Sequence, residues 1–167
     1  MEPEALLDVL AARSGDRGAF ARLHGRWHRV VHGVLLARVS VDDAEELVQE
    51  VFVTAWLRLP GLTAADAFPG WICAIARNRA IDHLRVRRPT EPIGELAVAG
   101  SDGALAIDTL RAIRALPEAY RETLLLRLVE DLSGPEIAAR TGLTEGSVRV
   151  NLHRGMTMLR ERLGGPS

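Results

Sequence analysis

Leu132-Ser-Gly-Pro-Glu-Ile-Ala-Ala-Arg-Thr-Gly-Leu-Thr-Glu-Gly-Ser-Val-Arg149 holds two helix starts and one helix stop in a single short stretch. Ser133 and Glu136 have the spacing of a capping box, in which each side chain accepts from the other's backbone N–H. The helix they start spans about two turns and stops at Gly142. Leu143 can pack inward across the turn, and Thr144 can cap a second helix. Ala138, Gly142 and Val148 supply a small residue, a turn glycine and a β-branched core residue, which let two helices cross closely at a steep angle. Val148, Leu152, Leu159 and Leu163 mark the inward stripe of the second helix. Arg149, Val150, His153 and Arg154 lie on another face. The pattern is a helix-turn-helix whose second helix presents cations to a major groove. The bland alternative is a capped helical hairpin with a solvated, charged face.

Upstream of this motif the sequence predicts helices over about 107–115 and 117–130, and downstream the second helix of the motif runs over about 145–163. Residues 89–106 differ in composition, with Pro, Gly and acids but no Arg. They read as a linker, and at ~3.3 Å per extended residue they could span on the order of 50–60 Å. That is long for a connection inside one compact domain. The first half reads as four helices: about 4–12, 16–37, from Asp42 to about Arg58, and from near Pro69 into the Arg-rich end. Apolar residues recur there at three- and four-residue spacings, as in Ala44, Leu47, Val48, Val51, Phe52, Ala55 and Leu59. The expected fold is all-α: two small helical domains, 1–88 and 107–167, joined by a flexible linker at 89–106, the second with the helix-turn-helix.

The 167 residues are 47% apolar and only 4% aromatic, and all 21 basic residues are Arg. Cys73 is the one cysteine, so neither an internal disulfide nor a multi-thiolate metal site is available. The first ten residues carry acids without a basic flank, unlike a signal peptide. No apolar run approaches the ~18–20 residues of a membrane span. The chain reads as cytoplasmic, without membrane insertion and without cofactor.

A net charge of −1 hides a segregated distribution. From Arg77 to Arg88 there are five Arg and one Asp; from Arg140 to Arg162, five Arg and two Glu; from Asp42 to Glu50, five acids and no base. The stretch Phe68 to Arg88 mixes aromatics with Arg, Asn and His, which suits single-stranded DNA: cations for the backbone, aromatics for unstacked bases, amides for base edges. Trp71 fits a core position equally well, and Asn78, Asp82 and Arg85 fit caps or pairs along the helix. Asp42 to Trp56 reads as an amphipathic helix, acidic on one face. His24, His28 and His32 recur every four residues, but no carboxylate or thiolate completes a metal set and Trp27 beside them favours packing.

Together these stretches resemble the extracytoplasmic-function sigma factors of the sigma-70 family. Asp43-Ala-Glu-Glu-Leu-Val-Gln-Glu-Val-Phe52 is similar to their polymerase-binding region 2.2. Gly70-Trp-Ile72 and Ala76-Arg-Asn-Arg-Ala-Ile-Asp-His-Leu-Arg85 are similar to the regions that melt and read the −10 element. Leu116-Pro-Glu-Ala-Tyr-Arg-Glu-Thr-Leu-Leu-Leu-Arg127 resembles the start of region 4, and Ser133 to Arg160 resembles the −35 reader.

The resemblance implies a non-enzymatic transcription factor with two surfaces for core RNA polymerase, the β′ clamp and the β flap, and with promoter DNA as ligand. An anti-sigma protein is implied as inhibitor. It assigns Asp43, Glu46, Leu47, Gln49 and Glu50 to the clamp, with Leu47 as the apolar anchor. Phe68, Trp71, Arg77, Asn78, Asp82, His83, Arg85, Arg87 and Arg88 fall to the −10 element. Thr144, Ser147, Arg149, Val150, His153 and Arg154 fall to the −35 element. Val150 stands where small polar residues are frequent, and Met156-Thr157-Met158 where a basic run is common, which leaves the preferred −35 sequence open.

Three rival readings explain less. A stand-alone helix-turn-helix regulator leaves Asp42 to Arg88 without a task. A helical scaffold leaves both basic stretches idle. An enzyme finds no nucleophile motif, phosphate loop or metal set, and the adjacent Asp82 and His83 do not face each other on a helix.

Overall fold

The structure is a computed structural model. It describes residues 1–86 and 101–164, with the backbone alone for 101–106. Eight α-helices follow in order: α1 (Pro3–Arg13), α2 (Arg17–Leu36), α3 (Val41–Arg58), α4 (Phe68–Val86), α5 (Ser101–Arg114), α6 (Glu118–Leu128), α7 (Gly134–Thr141) and α8 (Glu145–Arg162), with two short 3₁₀ turns, Leu59–Gly61 and Ala65–Ala67, between α3 and α4. No strand occurs among the described residues, and the fold is all-α, as the helical periodicity predicts.

Local chemistry sets the helix starts. Asp16 Oδ1 accepts from the Ala19 N–H at 3.0 Å and opens α2. Ser40 Oγ accepts from the Asp43 N–H at 3.2 Å and opens α3, whose first turn holds Asp42 and Asp43 against the positive end of the helix dipole. Between α1 and α2 the chain turns through Gly15 at φ 97°, a left-handed conformation that favours glycine. Helix α5 starts at Ser101, six residues before the expected start at Ile107. Ser, Asp and Gly suit a first turn as well as a linker, so composition alone did not separate the two. The rest of the expected linker, through residue 100, lies outside the described residues.

The first domain packs α1 to α4 around Leu23, Trp27, Leu35, Leu47, Leu59, Phe68 and Ile72, all fully buried or nearly so. The second packs α5 to α8 around Ile113, Leu124, Leu125, Leu126, Leu132, Ile137, Val148 and Leu159. In α8 the inward stripe is Val148, Gly155 and Leu159. Leu163, expected on that stripe, is exposed, because it caps the helix after the last packed turn. Gly155 takes an inward position that the sequence did not reveal. A Cβ there would stand 3.0 Å from Leu124 Cδ1 and 3.2 Å from Tyr120 Cβ, so any larger residue would push Leu124 and Tyr120 back by a few tenths of an ångström where α6 and α8 approach closely.

The two domains pack directly on one another, and their buried side chains form one cluster. Helix α6 lies against α2. A Cβ on Gly33 would meet Leu126 Cδ2 at 2.7 Å and Glu130 Cγ at 3.2 Å. Around this contact, two acids of the second domain that are both 7% exposed meet cations of the first. Glu122 accepts from Arg38 at 3.0 Å and from Arg77 at 2.6 and 3.1 Å. Glu130 Oε1 lies 2.6 Å from His32 Nδ1, with Arg29 at 3.7 Å. Arg114 donates to the carbonyls of Leu36 and Val39 that close α2. Burial draws its guanidinium pKa down, and these carbonyls replace the lost water.

Candidate nucleic-acid and polymerase interfaces

The helix-turn-helix forms at the expected residues. Glu136 Oε2 accepts from the Ser133 N–H at 2.8 Å, and Ser133 Oγ accepts from the Glu136 N–H at 3.4 Å. The Ser133 backbone and side-chain hydrogen bonds hold the Glu136 carboxyl below its ordinary pKa. Gly142 ends α7 at φ 78°. Thr144 Oγ1 accepts from the Ser147 N–H at 3.1 Å, and the two hydroxyl oxygens lie 2.8 Å apart. Thr144 and Ser147 are therefore capping residues that also stand exposed at the start of α8.

Arg149, Val150, His153 and Arg154 are all exposed, while Val148, Gly155 and Leu159 face inward. Leu143, expected to turn inward, is instead exposed and lines a groove with Arg38, Arg77, Glu118, Glu122 and Asn151.

On α4 the candidates divide by helix phase. Trp71, Asn78, Asp82 and Arg85 recur at intervals of seven, four and three residues and share one face. Asn78, Asp82 and Arg85 are exposed, Trp71 is half-buried, and Arg85 Nη1 lies 3.8 Å from Asp82 Oδ1. Phe68 does not join them. It is fully buried, edge-on to Trp27 with ring centroids 5.1 Å apart, so its ring belongs to the core. Arg77 turns toward the second domain and holds Glu122 with two hydrogen bonds. That bond raises its pKa, and the guanidinium stays charged. His83 points back at α3, with Nε2 3.4 Å from Asp43 Oδ1. Arg87 and Arg88 lie outside the described residues.

On α3, Glu46 and Gln49 are exposed. Glu50 pairs with Arg79 of α4, and Asp43 is tied to Ser40 and His83. Leu47, expected as a surface anchor, is buried in the first domain's core. Its phase places it with Ala44, Val48 and Val51, opposite Glu46. Two residues missed from the sequence complete the outer face: Val53 and Leu57, 61% and 71% exposed, one and two turns beyond Gln49. Their signal was available, since both are apolar and both fall off the core stripe.

The remaining chemistry is sparse. Burial pushes the Cys73 thiol up to about 12, so it stays protonated. His24 packs on Phe52 at 4.3 Å and near His28 at 5.3 Å, and burial lowers its pKa. Among the described residues no group of His, Cys, Asp and Glu is arranged to hold a metal ion. None of their helices is long and apolar enough to cross a membrane.

Comparison with known proteins matches both halves. Residues 23–90 match the family model for sigma-70 region 2, and residues 107–159 the model for sigma-70, region 4. The chain is 35% identical over 162 residues to the ECF RNA polymerase sigma factor SigF of Caulobacter vibrioides, covering 93% of this chain and 87% of that one. It is 34% identical over 160 residues to the ECF RNA polymerase sigma factor RpoE of Cereibacter sphaeroides, covering 89% and 88%. Among solved structures, CnrH in complex with the cytosolic domain of CnrY shares the fold with a TM-score of 0.67 at 24% identity, over 98% of this chain and 99% of that one.

Proposed function

The chain belongs to the extracytoplasmic-function sigma factors of the sigma-70 family, and we propose from that membership which of its side chains carry the work. It is an alternative sigma factor: it binds core RNA polymerase and directs promoter-specific initiation of transcription. We assign region 2 to domain 1–88, with the family match at 23–90 running two residues past that boundary, and region 4 to domain 107–167, with the match at 107–159. The chain acts in the cytoplasm as a non-enzymatic subunit, and an anti-sigma factor holds it inactive.

Glu46 and Gln49 form the polar part of the β′ clamp surface, and Val53 and Leu57 supply the apolar anchor first assigned to Leu47. Acids on this face would meet a basic partner and set its orientation. Trp71, Asn78, Asp82 and Arg85 face the −10 element, with Arg77 beside them and Arg87 and Arg88 extending the basic end. A flipped base costs a few kcal/mol to unstack, and a pocket must offset that cost. His83 braces α4 against α3 through Asp43.

The single observation that supports the −35 assignment best is the division of α8. Its capped N-terminus presents Arg149, Val150, His153 and Arg154 outward, while Val148, Gly155 and Leu159 hold the helix from behind. We expect Arg149 to read a base and Arg154 to contact phosphate. In reconstituted holoenzyme, Arg149→Ala then costs about 1–3 kcal/mol and relaxes the preference at one base pair of the −35 element. Arg154→Ala weakens binding evenly across sequences and lowers the salt slope by about one. Binding to a randomised −35 library at two salt concentrations checks both. A sequence profile unchanged by either substitution would remove α8 from the DNA interface.

A further inference from the structure

Helix phase fixes which side chains of α8 point straight out. An α-helix turns about 100° per residue. Val148, Gly155 and Leu159 are buried and define the inward side. Directly opposite, within about 20° of straight out, stand Gly146, Val150 and Thr157. The two Arg lie on either flank, Arg149 about 80° round on one side and Arg154 about 60° round on the other.

The middle of this outward face offers little to a hydrogen bond. Gly146 has no side chain, and Val150, 45% exposed, ends in two methyl groups. Thr157 Oγ1 donates to the His153 carbonyl at 3.1 Å. The Thr144 and Ser147 hydroxyl oxygens are engaged with each other at 2.8 Å. The cations at the flanks suit phosphates and the bases beside the centre.

Both central residues weaken the helix that carries them. Glycine is the poorest helix former after proline, and valine loses side-chain freedom at its branched Cβ. The fold does not demand either. A Cβ on Gly146 would meet nothing closer than Thr144 Oγ1 at 3.9 Å, so alanine fits there without strain. Val150 does not pack against the hydrophobic core. A single exposed valine is ordinary on a protein surface; what sets Val150 apart is its place at the centre of a groove-facing helix, one turn after a glycine with open space beside it.

We propose that Gly146 and Val150 select a thymine in the −35 element. The Val150 methyl groups meet the C5-methyl of that thymine in the major groove, and Gly146 leaves room for the base edge to come against the helix backbone. The inference rests on the −35 reading of α8 proposed above and names the base that the middle of that helix takes. In the major groove thymine alone carries a methyl group. Cytosine in its place would set the N4 amino donor against an apolar side chain, and a buried donor without an acceptor is costly.

The test uses holoenzyme reconstituted from core polymerase and the full chain, with promoter duplexes randomised at the −35 element. Wild type should enrich thymine at one base pair, and Val150→Ala should lose that enrichment while keeping the rest of the profile. Deoxyuridine at that position removes the methyl group and nothing else. Wild type should bind the deoxyuridine duplex about fourfold less tightly, the worth of one buried methyl group. Val150→Ala should bind the two duplexes alike.

Gly146→Ala separates reading from a structural role, because its two effects run in opposite directions. It should raise the melting temperature of the free chain by about 1–4 °C. It should weaken promoter binding roughly tenfold, the scale of one mismatched base pair. Equal binding of the thymine and deoxyuridine duplexes by wild type overturns the methyl contact, and Gly146→Ala that binds as tightly as wild type overturns the close approach. A profile that Arg149→Ala shifts and Val150→Ala leaves unchanged overturns this inference alone. A profile that neither shifts overturns the −35 reading of α8 as well.

Discussion

Trp27→Ala should lower the unfolding free energy by about 3–5 kcal/mol, the range for truncating a buried large aromatic. Trp27 sits where three elements meet. Its ring stands edge-on to Phe68 at 5.1 Å with an interplanar angle of 82°. Its Nε1 donates to the Arg140 carbonyl of α7, and only 2% of the residue is exposed. Removal leaves a cavity in the first domain and leaves the Arg140 carbonyl, at the seam between the domains, with only the weak Cys73 thiol donor at 3.8 Å. The expected loss is a large share of the ~5–15 kcal/mol that holds a typical protein folded. The melting temperature should fall by on the order of 10 °C. Trp27→Phe keeps most of the packing but loses the hydrogen bond and part of the ring volume, so it should cost less, about 1–3 kcal/mol. Urea unfolding of the three proteins measures this. Equal stability of wild type and Trp27→Ala would mean that Trp27 does not join the core to the seam.

The second large effect separates two neighbours on α3. Glu46→Arg should leave the melting temperature nearly unchanged, because the residue is exposed and bears no packing. It should weaken core polymerase binding by roughly a hundredfold or more, since a like charge placed in a complementary interface costs several kcal/mol. Leu47→Ala should do the reverse. It empties a fully buried site and costs about 2–5 kcal/mol of stability. At a temperature where it remains folded, its core affinity should stay close to wild type. Binding to core polymerase measured beside thermal unfolding reads both quantities. Loss of core affinity by folded Leu47→Ala, with Glu46→Arg unaffected, would exchange the two roles.

These neighbours also show what can be read from a sequence of this kind. The periodicity of α3 places Leu47 on the inward stripe with Ala44, Val48 and Val51. The family resemblance then assigned the same residue to the polymerase surface. A family motif marks a position along the chain, but helix phase decides which way the side chain points, and phase was right. Phe68 repeats the lesson beside Trp71.

The helix-turn-helix was legible nearly to the residue because its signals are local. Ser133 with Glu136, Gly142, and Thr144 with Ser147 all act within one turn of their own backbone. Helix α5 began earlier than expected because residues that begin helices also populate linkers.

The seam between the domains was not legible. Its pairs join residues far apart in the chain, Arg38 and Arg77 to Glu122, and His32 to Glu130, and no local rule links them. Two faint marks existed: a glycine on the apolar face of α2 at Gly33, and an acid at Glu122 beside the apolar run Leu124 to Leu126. A close helix approach explains the first, and a buried ion pair the second.

The central claim is that this chain gives core polymerase a promoter preference. Run-off transcription tests it most directly, with sigma-free core polymerase, purified chain and a pool of genomic fragments from the bacterium that encodes it. The account predicts that core alone yields no defined start sites. With the chain added, transcripts should begin at a small set of positions preceded by common −10 and −35 sequences, and Glu46→Arg should lose them. A folded chain that binds the fragments yet neither binds core polymerase nor yields defined starts would contradict the claim, and would leave a helix-turn-helix regulator that acts without polymerase.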